Sequence, residues 1–284
     1  MNKLSILIIG KNGFLGKNIT RTCQLSKINY FSFSRENWEY FLKHDPSKWL
    51  LSNGVKTIIF AAGYSKRFKA FEIDNIEEPN ILSKCLSFNL KLIYLSSSLV
   101  YGKQKDENLS SLSENLICYP TGEYGLYKKI IEDFVLSHNS KNCVLRLSSC
   151  IGKEKSSGLL KVINEKVTQA SGNYIEMMHA NTTRDYLYID NASKMIIEIA
   201  KNKACNGIFN IGSGRGYSVD YIIREFEKFY NLKPKKIKFG EQMEEDPLKH
   251  VLNMSKTNNF LNKKLQKEIF AQDQIKLYLN KNKE

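Results

Sequence analysis

Residues 4–25 read LSILIIGKNGFLGKNITRTCQL, and this stretch decides how the rest of the chain is read. Leu4 to Ile9 is apolar almost without interruption, as expected of a strand buried on both faces. Gly10, Gly13 and Gly16 then recur at every third position, and a helical pattern begins. A strand that turns tightly through glycine into a helix presents the helix's first amides and its dipole to an anion, with backbone close enough to touch a pyrophosphate. The turn is therefore a candidate nucleotide site. Asn12, Phe14 and Leu15 lie between its glycines and belong to it.

Working outward, strands and helices alternate. NYFSFSR reads as a second strand, WEYFLKHDPSKWLLSNG as mixed loop and helix, and VKTIIFAAG as a third strand ending in the small residues Ala61, Ala62 and Gly63. ILSKCLSFN supplies a helix, LKLIYLSSSLVYG a fourth strand, and CVLRLSSCIG a further strand after a helix that starts near Tyr124. Nearly continuous apolar strands separated by helices predict an α/β fold with a doubly wound, Rossmann-type parallel sheet. After about residue 152 the pattern is less regular, with helices expected near 158–170, 190–202, 218–230 and 255–262. The expected division is a dinucleotide-binding domain over 1–152, to which later segments return, and a smaller α/β substrate lobe over 153–284. No internal repeat or low-complexity linker interrupts it.

Composition excludes other classes. With 284 residues, 42% hydrophobic, 25% charged and 5 prolines, the chain suits a folded globular protein rather than a disordered one. No apolar run approaches the roughly 18–20 residues of a membrane span, and the start lacks the features of a signal peptide, so a cytoplasmic location is expected. Cysteines at 23, 85, 118, 143, 150 and 205 form no CxxC and no paired spacing. They read as reduced thiols, and no metal site is expected. The net charge of +14 raises nucleic acid as a partner, but the lysines are scattered and no nucleic-acid motif accompanies them. An anionic small substrate would benefit from the same charge.

Two further stretches carry chemistry. An acidic residue at the tip of the second strand would bind the ribose 2′-hydroxyl of NAD. Here the tip is FSFSRE, with Ser34 and Arg35 in its place. A hydroxyl and a guanidinium suit a 2′-phosphate, so NADP(H) is favoured; an exposed Arg beside Glu36 is the plain alternative and leaves NAD(H) open. In EYGLYKKIIED, residues 123–133, Tyr124 and Lys128 are four apart and share a helix face. Tyr127 would need a lysine at 131 and finds Ile131. Alone, such a pair is as readily ordinary helix surface.

The Gly-x-x-Gly-x-x-Gly turn, IIFAAG, YLSSSLVYG, YGLYKK, TTRDYLYIDNAS and FNIGSGRGYSV follow one another between residue 4 and about residue 256. In that order they resemble the extended short-chain dehydrogenases/reductases that modify nucleotide sugars, a family of 4-epimerases, 4,6-dehydratases and 4-keto-sugar reductases. The resemblance implies that Tyr124 is the general acid or base, and that Lys128 stabilises its phenolate and holds the nicotinamide ribose. It implies that Ser97, three before the valine of Val-Tyr-Gly, orients the substrate oxygen, with Ser96 and Ser98 as alternatives. It further implies that Asn75 positions a proton relay, and that Ser98, Ser149 and Arg184 contact a nucleotide-diphosphate sugar, His179 being a weaker choice than Arg184. A homodimer is implied as well.

Departures from the family pattern narrow the reaction. The dehydratases carry Asp-Glu after the serine, where this chain has Ser98 and Leu99. The GDP-fucose synthase type needs a cysteine at the second position, and Leu99 cannot replace it. Reduction or 4-epimerisation remains, and Ser34–Arg35 with a compact C-terminal part favours reduction. The family's Arg-x-x-Asn-x-Tyr-Gly-Pro reads Arg146 to Lys153 here, with Ser149 in place of the asparagine, which opens the substrate's identity. Cys150 reads as packing. A non-catalytic NADP-binding or nucleic-acid-binding relative is the remote alternative, against which the intact Ser97, Tyr124 and Lys128 set argues.

Overall fold

A computed structural model gives the fold over residues 5–63, 77–106, 109–153, 155, 158–170, 172–242 and 247–282. The chain runs β1 (Ser5–Ile9), α1 (Phe14–Leu25), β2 (Tyr30–Phe33), α2 (Arg35–Leu42), α3 (Ser47–Ser52), β3 (Val55–Phe60), α4 (Glu77–Ser87), β4 (Lys91–Ser97), α5 (Gly122–His138), β5 (Cys143–Leu147) and β6 (Ser149–Ile151). It continues through α6 (Leu159–Gln169), β7 (Tyr174–Met177), β8 (Thr183–Tyr188), α7 (Ile189–Lys201), β9 (Gly207–Ile211), β10 (Gly216–Ser218), α8 (Val219–Phe229), β11 (Lys236–Phe239) and β12 (Lys249–His250), then α9 (Ser255–Asn258), α10 (Lys263–Ala271) and α11 (Gln274–Lys281).

Six strands form one parallel sheet in the order β2-β1-β3-β4-β5-β9. Side chains alternate across a strand, so its apolar run feeds two cores. Ile6, Ile8, Ile59 and Ile93 pack with Ile19 and Cys23 of α1 and Ala192, Met195 and Ile196 of α7. Leu7, Ile9, Ile58, Phe60 and Leu92 face the other way, against Trp38, Leu50, Leu82, Ile131 and Val135 of α2 to α5. Both faces are thus covered, which is why these strands show no polar alternation. The order reverses at β1, whose neighbours are β2 and β3. In open α/β sheets the crevice beyond the strand ends at such a point is the ligand site.

A second sheet of order β10-β8-β12 takes β6 as a further partner of β8, and β7 pairs with β11. CVLRLSSCIG is therefore two strands, not the single strand its apolarity implies. Ser148 N donates to Ile211 O at 2.8 Å as the last tie to the main sheet, and Ser149 to Ile151 then pair with Tyr186 to Tyr188. The fourth strand also ends earlier than expected, at Ser97. The Ser97 hydroxyl accepts from Leu99 N at 3.2 Å and starts a 3₁₀ turn over Ser98–Tyr101. Gly102 follows at φ +58°, where a Cβ would lie 1.6 Å from Tyr119 O. Helices α10 and α11 lie in a lysine-rich tail assigned no element from sequence. They bury Leu265, Ile269, Ile275 and Leu279, and Asp273 caps α11 by accepting from Ile275 N and Lys276 N. Among the described residues no helix is long and apolar enough to cross a membrane.

Candidate active site

The glycine turn is shaped by backbone contact. Gly10 has φ +98°, and a Cβ there would lie 2.6 Å from Ala62 N and 2.7 Å from the Ala61 carbonyl carbon. A Cβ on Gly16 would lie 2.0 Å from Gly10 O. Only glycine allows α1 to start this close to the ends of β1 and β3. Gly10 N and Lys11 N both donate to Phe33 O, at 2.8 and 3.0 Å, which ties the turn to β2. At the N-terminus of α1, Gly13 provides no side-chain cap, and Asn12 and Gly13 are exposed. Phe14 and Leu15 are partly buried. This cradle fits a pyrophosphate: its backbone is open and the helix amides are not taken by a capping side chain.

At the tip of β2 the Ser34 side chain is buried, and its hydroxyl accepts from Asn37 N at 3.2 Å, capping α2. Arg35 is partly exposed beside it. The carboxyl of Glu36 is held below its usual range, first by its own backbone amide and then by the Ser34 hydroxyl, so an anion stands next to Arg35.

The next strand ends carry the tyrosine and lysine. Lys128 is buried, with Nζ 5.8 Å from the Tyr124 ring centroid. Nζ donates to Tyr94 Oη at 2.8 Å and lies 3.8 Å from Glu78 Oε1; Tyr94 Oη in turn donates to Glu78 at 3.0 Å. The third strand stops at Phe60, short of Ala61–Gly63, and a Cβ on Gly63 would lie 2.7 Å from Lys128 Nζ, so the turn after β3 rests on the lysine. Tyr124 is partly exposed, whereas Tyr127 is buried in the core with Ile131 and Val135. The three serines separate by environment. Ser96 is buried and donates to Glu132 Oε1 at 2.6 Å, in a cluster where Arg146 Nη2 meets Glu132 at 2.8 Å. Ser98 is buried, and Ser97 is partly open. A Cβ on Gly125 would lie 2.9 Å from Leu99 O, which sets the first turn of α5 against the turn that follows Ser97.

The second sheet meets this region at Ser98. Ser149 is the first residue of β6, and Arg184 in β8 pairs in register with His250 of β12. Arg184 Nη1 donates to Thr183 O at 3.1 Å. His250, which no sequence signal singled out, is buried and hydrogen-bonds to the Ser98 backbone. Burial, and then the Arg184 charge, push it down to about 4, so it is a neutral imidazole near neutral pH. His179 is exposed and is not gathered with these groups. Asn75 lies outside the described residues. Burial pushes the Cys150 thiol up to about 12, so it stays protonated and packs as a small apolar group.

Following the strand order β2-β1-β3, Arg35, the turn Gly10–Gly16 and Ala61–Gly63 thus succeed one another along the C-terminal edge of the sheet, with Lys128 of α5 against Gly63. Tyr124 and Ser97 stand at the end of that line, and Ser149, Arg184 and His250 belong to the second sheet. The NAD dependent epimerase/dehydratase family model matches residues 6–212. The chain is 25% identical to the dTDP-4-dehydro-6-deoxyglucose reductase of Escherichia coli, over 81% of this chain and 83% of that one. It is 27% identical to the bifunctional polymyxin resistance protein ArnA of Wigglesworthia glossinidia brevipalpis, over 80% of this chain and 41% of that one. Against the UDP-glucose 4-epimerase of Yersinia enterocolitica it is 29% identical, over 51% of this chain and 49% of that one. It therefore spans less than half the length of the last two. The Thermus thermophilus UDP-glucose 4-epimerase in complex with NAD superposes over 99% of both chains with a TM-score of 0.73 at 16% identity. The Bacillus cereus UDP-glucuronic acid 4-epimerase with UDP-glucuronic acid and NAD does so over 99% of both with 0.73 at 19%. At such identities the superpositions speak for the fold alone, an extended form of the doubly wound sheet. With the family model covering most of its length, the chain belongs to the NAD dependent epimerase/dehydratase family.

Proposed function

We propose that the protein is an NADPH-dependent reductase of a nucleotide-linked 4-keto-6-deoxy sugar, with Tyr124 as the general acid at the keto oxygen. The observation that carries this reading is the place of Lys128, against Gly63 in the turn after β3 on one side and the Tyr124 ring on the other. A phenol with an ordinary pKa of about 10 transfers a proton poorly near neutral pH, and a cation on the same helix face eases its release. When bound, the nicotinamide cofactor supplies hydride to the sugar carbon. The Gly10–Gly16 turn holds its pyrophosphate, Arg35 its 2′-phosphate, Ala61–Gly63 line its path, and Lys128 bonds the ribose. Ser97 orients the keto oxygen. Ser98, from the turn after β4, and Ser149 and Arg184, from the second sheet, contact the sugar diphosphate, where a guanidinium binds phosphate oxygens bidentately. Leu99 carries no ionisable group, so the position that moves a proton in a dehydratase is inert here.

A specific observation favours a second reading, NAD-dependent 4-epimerisation. The Ser34 hydroxyl is spent on capping α2, and an ionised Glu36 stands beside Arg35, both of which weaken a 2′-phosphate site. A panel of 4-keto nucleotide sugars incubated with NADPH separates the two. Stoichiometric NADPH consumption, with product mass raised by two hydrogens, supports the reductase. Isomerisation of an ordinary UDP-sugar with no net cofactor change assigns an epimerase.

The same proposal includes a second copy of the chain as partner, docked through the outer face of α5. Its six cysteines are free, which suits the reducing cytoplasm where we place it.

A further inference from the structure

We propose that Glu78 is a positioning residue of this site: through Tyr94 it holds the Lys128 ammonium under the turn after β3, and its charge opposes the lysine's pull on the Tyr124 proton. The inference rests on the reading of Tyr124 as the proton donor and adds the group that tunes it. Its basis is geometric. Lys128 Nζ donates to Tyr94 Oη at 2.8 Å, and Tyr94 Oη donates to Glu78 Oε1 at 3.0 Å. A lysine side chain only donates, so the Tyr94 oxygen accepts from Lys128 and passes its own hydrogen to Glu78. All three side chains are out of solvent, with Glu78 2% exposed, Tyr94 0% and Lys128 2%. Buried charges persist when they are paired and hydrogen-bonded, and this relay does both. Glu78 also lies in the first turn of α4, where the helix dipole favours an anion. A Cβ on Gly63 would lie 3.1 Å from Glu78 Oε1 as well as against Lys128 Nζ, so the turn after β3 covers the pair from water.

Among the described residues, the titratable groups gathered here come from three elements: Glu78 from α4, Tyr94 from β4, and Tyr124, Tyr127 and Lys128 from α5. Burial first, and then the Glu78 carboxylate, raise the Tyr94 phenol well above its usual range. The same two causes, in that order, raise Tyr127. Both phenols therefore keep their protons, and Tyr124, partly exposed, is the one placed to exchange a proton with a ligand. An isolated lysine cation beside Tyr124 would favour its phenolate. A carboxylate 3.8 Å from Nζ opposes that pull.

The test needs no substrate. Protein labelled with ¹³C at the tyrosine ζ carbon is titrated by NMR, and the Tyr124 resonance is assigned by its loss in Tyr124→Phe. Glu78→Gln keeps an acceptor for Tyr94 and removes the charge. Tyr124 should then titrate at a pH lower by about one unit or more, the size of shift a cation a few ångströms away produces. Glu78→Asp keeps the charge but draws it back by one methylene. It should move the titration the same way by less, and it carries the test if the glutamine variant does not fold. A Tyr124 titration that stays in place or moves up in a folded variant overturns the proposal. Failure of the functional reading looks different: Tyr124→Phe would keep its turnover while the NMR shift stood. If both hold, the pH limb of kcat moves with the NMR titration and KM for the cofactor does not.

Discussion

In the proposed reaction, proton transfer turns on one phenolic oxygen, that of Tyr124. Tyr124→Phe keeps the ring and should cut turnover by about 10²–10⁴-fold, the usual loss when acid catalysis is removed, with little change in cofactor affinity. Tyr127→Phe, one turn on and buried among Ile131 and Val135, should leave turnover nearly unchanged. Steady-state kinetics beside cofactor titration of both variants checks the contrast. His250 makes a different prediction, about stability. Its imidazole is held at about 4 in the fold, against 6.5 when unfolded, so the unfolded chain binds the extra proton. The stability it contributes is complete above pH 6.5 and is lost as pH falls toward 4, at about 1.4 kcal/mol per pH unit. Asp185 runs the opposite way. Burial raises it from 3.8 to about 6, so its share is complete below 3.8 and is lost as pH rises through 6. The two offset each other between these limits. In His250→Gln the unfolding free energy at neutral pH minus that at pH about 5 should therefore fall by about 2 kcal/mol, leaving the opposite slope set by Asp185, read from urea titrations at both. An unchanged difference would mean that His250 is not held neutral.

At the scale of elements, the proposed choice of cofactor rests on the turn from β2 into α2. If Arg35 holds a 2′-phosphate, Arg35→Ala should weaken NADPH much more than NADH in a fluorescence titration, because only NADPH has that phosphate. Tighter NADH than NADPH binding by the unaltered protein would instead assign NAD. The glycine turn was legible in the sequence because two of its positions, Gly10 and Gly16, have no room for a Cβ. The use of Ser34 was not, since a serine before a helix can cap it or bind a ligand, and capping won. TTRDYLYIDNAS and FNIGSGRGYSV were legible as motifs, but not as one unit. Asp185 joins them, accepting from Ser213 N at 2.9 Å, Ser213 Oγ at 2.8 Å and Gly214 N at 3.0 Å.

At the scale of the whole molecule, the outer face of α5 is left open among the described residues. Leu126, Ile130 and Phe134, four apart on one face, are 47%, 50% and 36% exposed, while Tyr127, Lys128 and Ile131 of the same helix are buried. A second copy of the chain that presents the same stripe would bury it by two-fold symmetry. Light scattering should give twice the chain mass for the unaltered protein and the single mass for Ile130→Glu, with circular dichroism unchanged. A monomer in both cases would remove the proposed dimer.

The doubly wound parallel sheet, the glycine turn at its edge and the shared helix face of Tyr124 and Lys128 could be read along the chain. These depend on periodicity, on steric limits at single residues and on spacing within one helix, all of which are local. The tertiary structure decided the rest. It moved Ser149–Ile151 from the main sheet onto β8, returned β9 to the edge of that sheet, and placed His250 against Ser98. It also gave Lys128 a buried carboxylate from α4. Each of these joins segments far apart in the chain. Which segment meets which depends on how the two faces of the sheet are filled, and no apolar run or residue spacing records that.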